Sequence, residues 1–335
     1  MSDPFEGMQA EDLQKEVEKY QRKFALIRAE IGKVVVGQAH IVDSLIEALL
    51  CNGHVLLEGI PGLGKTLLVR TLSKITGSSF SRIQFTPDLL PTDIIGITTY
   101  EEGKGFYTVK GPIFANFVLA DEINRAPPKV QSALLEGMQE LQVTIGKETF
   151  RLPFPFFVMA TENPVEQLGT YKLPEAQLDR FLFKLNMVYP TFEEELKILT
   201  QNITTSQFDD YNLSPVLSPE EIIRAQHLVK HIRLDEKIEK YLVRIVEATR
   251  KPDKYDLEMG KYVSFGSSPR SSIALFIASK AHAIMRGSSV VTPSDVKAVA
   301  HNVLRHRIIL NFEGQAEEIG TDPIIDEILK KVPIV

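Results

Sequence analysis

The chain has 335 residues, 44% of them hydrophobic and 24% charged, the balance of a globular protein of about two domains. A single cysteine, Cys51, excludes a disulfide framework and a cysteine-built zinc centre, and no apolar run approaches the roughly 18 residues a membrane span needs. The net charge of −6 argues against a nucleic-acid coat protein, and the acidic start MSDPFEGMQAEDLQKE lacks the order of a signal peptide, so a soluble cytoplasmic protein is expected.

Leu13, Val17, Tyr20, Phe24, Ile27 and Ile31 step by three and four residues, which predicts one amphipathic helix over about 10–31. From about 32 to 190, helices alternate with short apolar strands. Ile41–Leu50 reads as a helix stopped by Gly53. His54–Leu57 reads as a strand, followed by glycines and a helix from Thr66 to Ile75. Phe80–Phe85, Phe117–Asp121, Phe156–Thr161 and Phe183–Val188 are further strand candidates. This alternation predicts an α/β fold, a five-stranded, mainly parallel sheet between helices. Gly-centred turns within 98–109 and 143–152 predict two β-hairpins inserted into that layer.

After Pro190 the strand signals stop. Ser218-Pro219-Glu220-Glu221 is a capping box, and Ile238, Tyr241, Leu242 and Ile245 make one helical face. Pro269–Arg286 ends at Gly287, and Thr292-Pro293 opens another helix. The expected organisation is an N-terminal helix (1–31), an α/β domain (32–190) and an all-α domain (191–335), with 202–212 the most linker-like stretch.

Residues 59–66, GIPGLGKT, satisfy G-x-x-x-x-G-K-[ST] between a predicted strand and a predicted helix. Such glycines let backbone N–H groups turn inward around phosphates; the lysine adds a charge at the outer phosphates, and the hydroxyl a ligand for Mg²⁺. Nucleotide contact is therefore expected along Gly59, Pro61, Gly62, Leu63, Gly64, Lys65, Thr66 and Leu67. The apolar strand 117–120 ends in Asp121 and Glu122. Asp121 is placed to hold Mg²⁺ with Thr66, and Glu122 suits a general base that activates water. Asn163 follows the strand 156–161 and precedes a proline, which read alone is a turn device; it can also hydrogen-bond the attacking water. Arg180, on a short predicted helix begun by Pro174-Glu175, suits spreading phosphoryl charge, although an Arg beside an Asp is commonly a surface ion pair. Arg270 opens a helix, an unfavourable place for a cation unless an anion comes near.

These elements, in this order, resemble AAA+ ATPases. The wording GIPGLGKT, FTPDLLPTDIIG, GPIFANFVLADEINRAPPKVQSALLEGMQE, ATENPVEQLGTYKLPEAQLDRF and SPRSS is similar to the MoxR family over roughly 30–310. The resemblance implies a P-loop AAA+ core followed by an all-α lid. Lys65 and Thr66 match Walker A, Asp121 and Glu122 Walker B, and Asn163 sensor 1. Arg180 matches the arginine finger, which acts on a neighbouring subunit's ATP, and Arg270 matches sensor 2. Val36, Gly37 and Gln38 resemble the segment lining the adenine pocket. The two hairpins match the inserts of the clade that also holds magnesium-chelatase subunits and replicative helicases. ATP and Mg²⁺ are the implied cofactors. A ring, commonly a hexamer, a von Willebrand factor A-domain partner and a client protein to be matured are the implied partners.

A DNA- or RNA-stimulated motor of the same clade is the alternative. The acidic balance and the two hairpin-tip lysines, Lys104 and Lys147, leave little charge for a phosphate track. A small-molecule kinase would leave Glu122, Arg180 and Arg270 without a shared task. A non-hydrolysing switch finds no missing catalytic residue to support it.

Overall fold

A computed structural model describes residues 3–60, 62–163, 169–200 and 208–334. The chain divides into two compact units. One comprises Ala25–Arg180 and Leu185–Ile223; the other comprises Met1–Phe24, Phe181–Lys184 and Arg224–Val335. Helix α1, Ala10–Gly32, contributes to both, and the six residues of its apolar stripe are all buried.

In the first unit, α2 (Ala39–Leu50) leads into β1 (Val55–Glu58), α3 (Lys65–Ile75) and β2 (Phe80–Gln84). After α4 (Pro91–Ile95) comes a hairpin of β3 (Gly96–Glu101) and β4 (Gly105–Lys110). Then follow β5 (Phe117–Asp121), α5 (Pro128–Glu140), a second hairpin of β6 (Gln142–Ile145) and β7 (Glu148–Arg151), β8 (Phe157–Glu162), α6 (Glu175–Leu178) and α7 (Phe192–Thr200), while β9 (Phe183–Asn186) is divided between the two units. The main sheet has the order β2-β5-β8-β1-β9, with β2:β5, β5:β8 and β8:β1 in parallel register. The central strands β5, β8 and β1 are apolar and buried along nearly their whole length, because helices cover both faces. Strand β2 lies at the edge, where Ile83 is buried and Arg82 exposed. His54, fully inside, ties β8 to α5: its Nδ1 accepts from Val158 N at 3.1 Å and its Nε2 faces Met138 O at 3.2 Å.

The first hairpin is paired from Gly96–Lys110 at its base to Glu101–Gly105 at its tip. Tyr100 and Phe106 are opposite each other, with ring centroids 5.2 Å apart, and both are exposed. Its base is closed by two glycines. A Cβ on Gly96 would lie 2.2 Å from Val109 O, and one on Gly111 2.3 Å from Ile94 O. At the tip, Gly103 and Gly105 have φ of +90° and +78°, backbone that glycine alone adopts freely.

The second unit is built on α8 (Pro219–His231), α9 (Glu236–Arg250), α10 (Pro269–Arg286), α11 (Pro293–Leu304) and α13 (Thr321–Lys331). The box read at Ser218 is formed: Glu221 N donates to Ser218 Oγ at 3.3 Å, and Ser218 N to Glu221 Oε2 at 3.2 Å. Strands do not stop at Pro190. β10 (Val263–Phe265) and β11 (Ile309–Leu310) pair antiparallel, ahead of the short α12 (Phe312–Ala316). Strands of three and two residues are too short to carry a periodic signal. Three successive basic residues fix segment 181–184 in this unit. Arg307 donates to Phe181 O at 2.6 Å and Leu182 O at 3.1 Å, Arg305 donates to Lys184 O at 3.0 Å, and His306 Nε2 lies 3.0 Å from Phe181 O.

Of the polar stretch 202–212, residues 202–207 lie outside the described residues, and Phe208–Tyr211 forms a short 3-10 turn. No described helix is long and apolar enough to cross a membrane.

Candidate functional site

The carboxyl ends of β2, β5 and β8 and the loop leaving β1 line one cleft of about 440 Å³. Open α/β sheets bind ligands at this end of the strands. The loop enters α3 through Gly62 (φ +89°) and Gly64 (φ +77°), both in the left-handed region. Gly64 caps α3, so the first N–H groups of that helix, with no partner inside it, belong to residues that line the cleft: Lys65, Thr66 and Leu67. Gly59 is a glycine for reasons of space: a Cβ there would lie 2.9 Å from the Cβ of Met187. Leu63 packs beside it, with Cδ1 3.6 Å from that position. Pro61 lies outside the described residues.

Lys65 Nζ donates to Gly59 O. Burial lowers the pKa of Lys65, against the opposing pull of Asp121, Glu122 and Glu58. A half-buried ammonium in such a field is a counter-charge made ready for an anion.

The two carboxylates at the end of β5 are held from both sides. From β8, Thr161 Oγ1 donates to Asp121 Oδ1 at 2.7 Å and accepts from Glu122 N at 2.8 Å. From β2, Arg82 donates to Asp121 Oδ2 through Nη2 at 2.6 Å and Nε at 3.1 Å. Arg82 Nη2 also donates to Gln84 Oε1 at 2.6 Å, and Gln84 Nε2 donates to Glu122 Oε2 at 2.9 Å. Arg125 Nε stands 3.0 Å from the same Glu122 oxygen. Glu122 itself has φ +57° and ψ +50°, a left-handed backbone uncommon for a non-glycine residue. Asn163, just past β8, is buried and lines the cleft.

Sequence reasoning placed Lys65, Thr66, Asp121, Glu122 and Asn163 near one another, and the structure gathers all five in this cleft. It missed Arg82, Gln84, Arg125 and Thr161. The period-2 alternation of β2 puts Arg82 and Gln84 on one face, the single signal that could have raised them.

Two predicted residues stand apart from these. Arg180 is expected on a helix, but α6 stops at Leu178, Asp179 closes it, and Arg180 N donates to Gln177 O at 3.2 Å. Arg180 is not among the described residues that line the cleft. Arg270 belongs to the helical unit, at the second position of α10, where its N–H is capped by Ser268 Oγ at 3.2 Å.

Val36 and Gly37 line a second cavity of about 410 Å³ with Arg28, Ile31, Val42 and Lys197. A Cβ on Gly37 (φ +73°) would lie 2.8 Å from the Glu194 carboxyl. Gln38, at φ +58°, donates through Nε2 to Val188 O at 2.7 Å, and its buried Oε1 has no hydrogen-bond partner.

Residues 54–183 match the family "ATPase family associated with various cellular activities (AAA)", and residues 259–328 match the "AAA lid domain". The chain is 47% identical over 308 residues to "Chaperone MoxR1" of Mycobacterium tuberculosis, covering 91% of this chain and 80% of that one. It is 31% identical over 325 residues to "Protein MoxR" of Methylorubrum extorquens, covering 92% and 94%. A crystal structure of a candidate ATPase from Cytophaga hutchinsonii superposes with a TM-score of 0.91 at 46% identity, covering 98% of this chain and 100% of that one. The α/β unit with its parallel five-stranded sheet is the AAA core and the helical unit carries the lid; the chain belongs to the MoxR family of AAA+ ATPases.

Proposed function

We propose that this protein hydrolyses ATP with Mg²⁺ and uses the cycle to remodel other proteins, as a ring-forming, chaperone-like ATPase. The observation that carries the reading is the pairing of Asp121 and Glu122, held by Thr161, in the cleft that Lys65 also lines.

The donor set fits the metal. Thr66 offers a hydroxyl and Asp121 a carboxylate, the few hard oxygen ligands that Mg²⁺ takes when phosphates and water complete its shell. Asp121 Oδ2 already faces a cation, the guanidinium of Arg82, so this oxygen is electrostatically suited to a positive neighbour. When bound, Mg²⁺ neutralises phosphate charge. The loop N–H groups and Lys65 hold the phosphates. Glu122 takes a proton from the attacking water, and Asn163 orients that water or the γ-phosphate. Gln84 and Arg125 now share Glu122 Oε2 and orient the carboxylate. The nucleobase is assigned to the cavity lined by Val36 and Gly37, with the neighbouring Gln38 carried over from the family resemblance.

Arg180 is assigned to the ATP of a neighbouring subunit, in keeping with its absence from the described lining of its own cleft. Arg270 is assigned to the γ-phosphate from the lid. The name "Chaperone MoxR1" of a 47% identical relative supports the remodelling role. A hexamer and a von Willebrand factor A-domain partner are proposed on the family resemblance.

The test is steady-state ATP hydrolysis with Mg²⁺ at increasing protein concentration, with sizing in parallel. Specific activity is expected to rise as the ring assembles and to be indifferent to added DNA or RNA. Turnover by a species that stays monomeric at every concentration would overturn the ring, and failure of the protein to bind ATP would overturn the whole reading.

A further inference from the structure

Arg82 stands against the metal site, if Asp121 holds the metal as proposed above. Both oxygens of Asp121 are engaged: Oδ1 by the Thr161 hydroxyl, and Oδ2 by two nitrogens of Arg82. Thr161 is buried in β8 and also holds Glu122 N, so its hold on Oδ1 is part of the frame. The side chain of Arg82 is 48% exposed and stands on the edge strand β2, free on one side to swing into solvent. Asp121 Oδ2 is therefore the oxygen whose partner can be exchanged.

A guanidinium and a divalent cation cannot share that oxygen closely. Like charges a few ångströms apart in a half-buried cleft repel strongly. The charged residues lining the cleft are Lys65, Arg82, Asp121 and Glu122, which already balance. Adding a divalent cation beside Arg82 breaks the balance, and withdrawing Arg82 softens the break.

We propose that Arg82 is the resident counter-ion of Asp121, a positioning residue that must leave Oδ2 before a divalent cation is held there. It thereby sets the cation concentration at which the site becomes competent. Its departure has a second effect. The Nη2 that leaves Asp121 is the one that orients Gln84 Oε1, so Gln84 loses the contact that aims its amide at Glu122. Arrival of the cation thus also weakens one of the two contacts on Glu122 Oε2, while Arg125 keeps the other.

The test measures Mn²⁺ binding to the ADP-loaded full-length protein by electron paramagnetic resonance of free Mn²⁺, alongside the Mg²⁺ concentration for half-maximal turnover. The variants are Arg82→Gln, Arg82→Lys and Asp121→Asn. Arg82→Gln is expected to tighten Mn²⁺ roughly two- to fivefold, the scale of a half-exposed ion pair, and to lower the Mg²⁺ midpoint to match. Arg82→Lys keeps the competing charge but not the two-nitrogen grip on Oδ2, and is expected to fall between wild type and Arg82→Gln. Arg82→Met, which keeps the aliphatic stem, gives the same readout as the glutamine should that variant fold poorly. Unchanged or weaker Mn²⁺ binding in folded Arg82→Gln or Arg82→Met, with binding lost in Asp121→Asn, overturns the proposal and leaves the metal assignment standing. Wild-type Mn²⁺ affinity in Asp121→Asn overturns the metal assignment and the proposal with it.

Discussion

The Thr161 hydroxyl joins β8 to Asp121 at 2.7 Å while accepting the backbone N–H of Glu122 at 2.8 Å, so one side chain fixes the Asp121 carboxylate and the backbone that carries Glu122. Thr161→Val keeps the shape and removes both bonds. Turnover is expected to fall at least about tenfold, with nucleotide affinity nearly unchanged, and folding stability to fall by about 1–2 kcal/mol. ATPase assays, fluorescent-nucleotide titration and urea unfolding together check this. Wild-type turnover in the valine variant would show that the carboxylates are held without it.

Lys65→Ala leaves buried phosphate charge without its counter-charge. ATP affinity is expected to fall by about 100-fold, as charged hydrogen bonds of this kind contribute about 3 kcal/mol. Calorimetric titration reads it directly, and normal affinity would remove Lys65 from the site.

Glu122→Gln keeps the size and removes the base. It is expected to bind ATP as wild type does and to hydrolyse it about 100-fold more slowly or worse, so that protein recovered after incubation carries ATP and not ADP. Chromatography of the bound nucleotide distinguishes the two.

Arg180→Ala is expected to bind ATP and to turn it over roughly 1,000-fold more slowly, the scale of an arginine finger. Mixed with the Lys65→Ala variant, which supplies an intact Arg180 beside a competent cleft, it should recover part of its activity. Absence of recovery in mixed rings would place Arg180 on its own subunit's nucleotide.

His54 sets a pH dependence for the core. Burial pushes its pKa down to about 4, and its Nδ1 must stay unprotonated to accept from Val158 N. The unfolded chain takes up this proton near pH 6.5, the folded chain only near 4. Between those values the unfolded state binds more protons, so stability falls as pH falls, by on the order of 3 kcal/mol across the window from this residue. His54→Gln is expected to be less stable at pH 7 and to show a shallower decline between pH 6.5 and 4. Urea midpoints over that range measure it.

The sequence was most legible where chemistry and local geometry coincide. The turn at Gly62 and Gly64 needs positive φ and opens a helix, so its residues are readable in a row. The buried strands β5 and β8 are continuous apolar runs ending in polar residues. Arg82 and Thr161 escaped because their meaning depends on strand order. They reach Asp121 only because β2 and β8, distant in sequence, flank β5. No local pattern encodes that adjacency. The four-residue α6 and the two-residue β11 fell below the length at which periodicity speaks, so Arg180 was placed on a helix it follows and the β10–β11 ladder was not foreseen.

The glycines of the first hairpin constrain how it can change. Gly96 and Gly111 leave no room for a side chain at its base, and Gly103 and Gly105 fix its turn. Its ends are thus pinned, and only its arms are free to vary. One added residue in one arm makes a bulge; one in each arm turns Tyr100 and Phe106 to the opposite face relative to the base. The hairpin can therefore keep its aromatic pair on the present face only by growing or shrinking two residues per arm. Its reach comes in steps of nearly 7 Å, not as a continuous range.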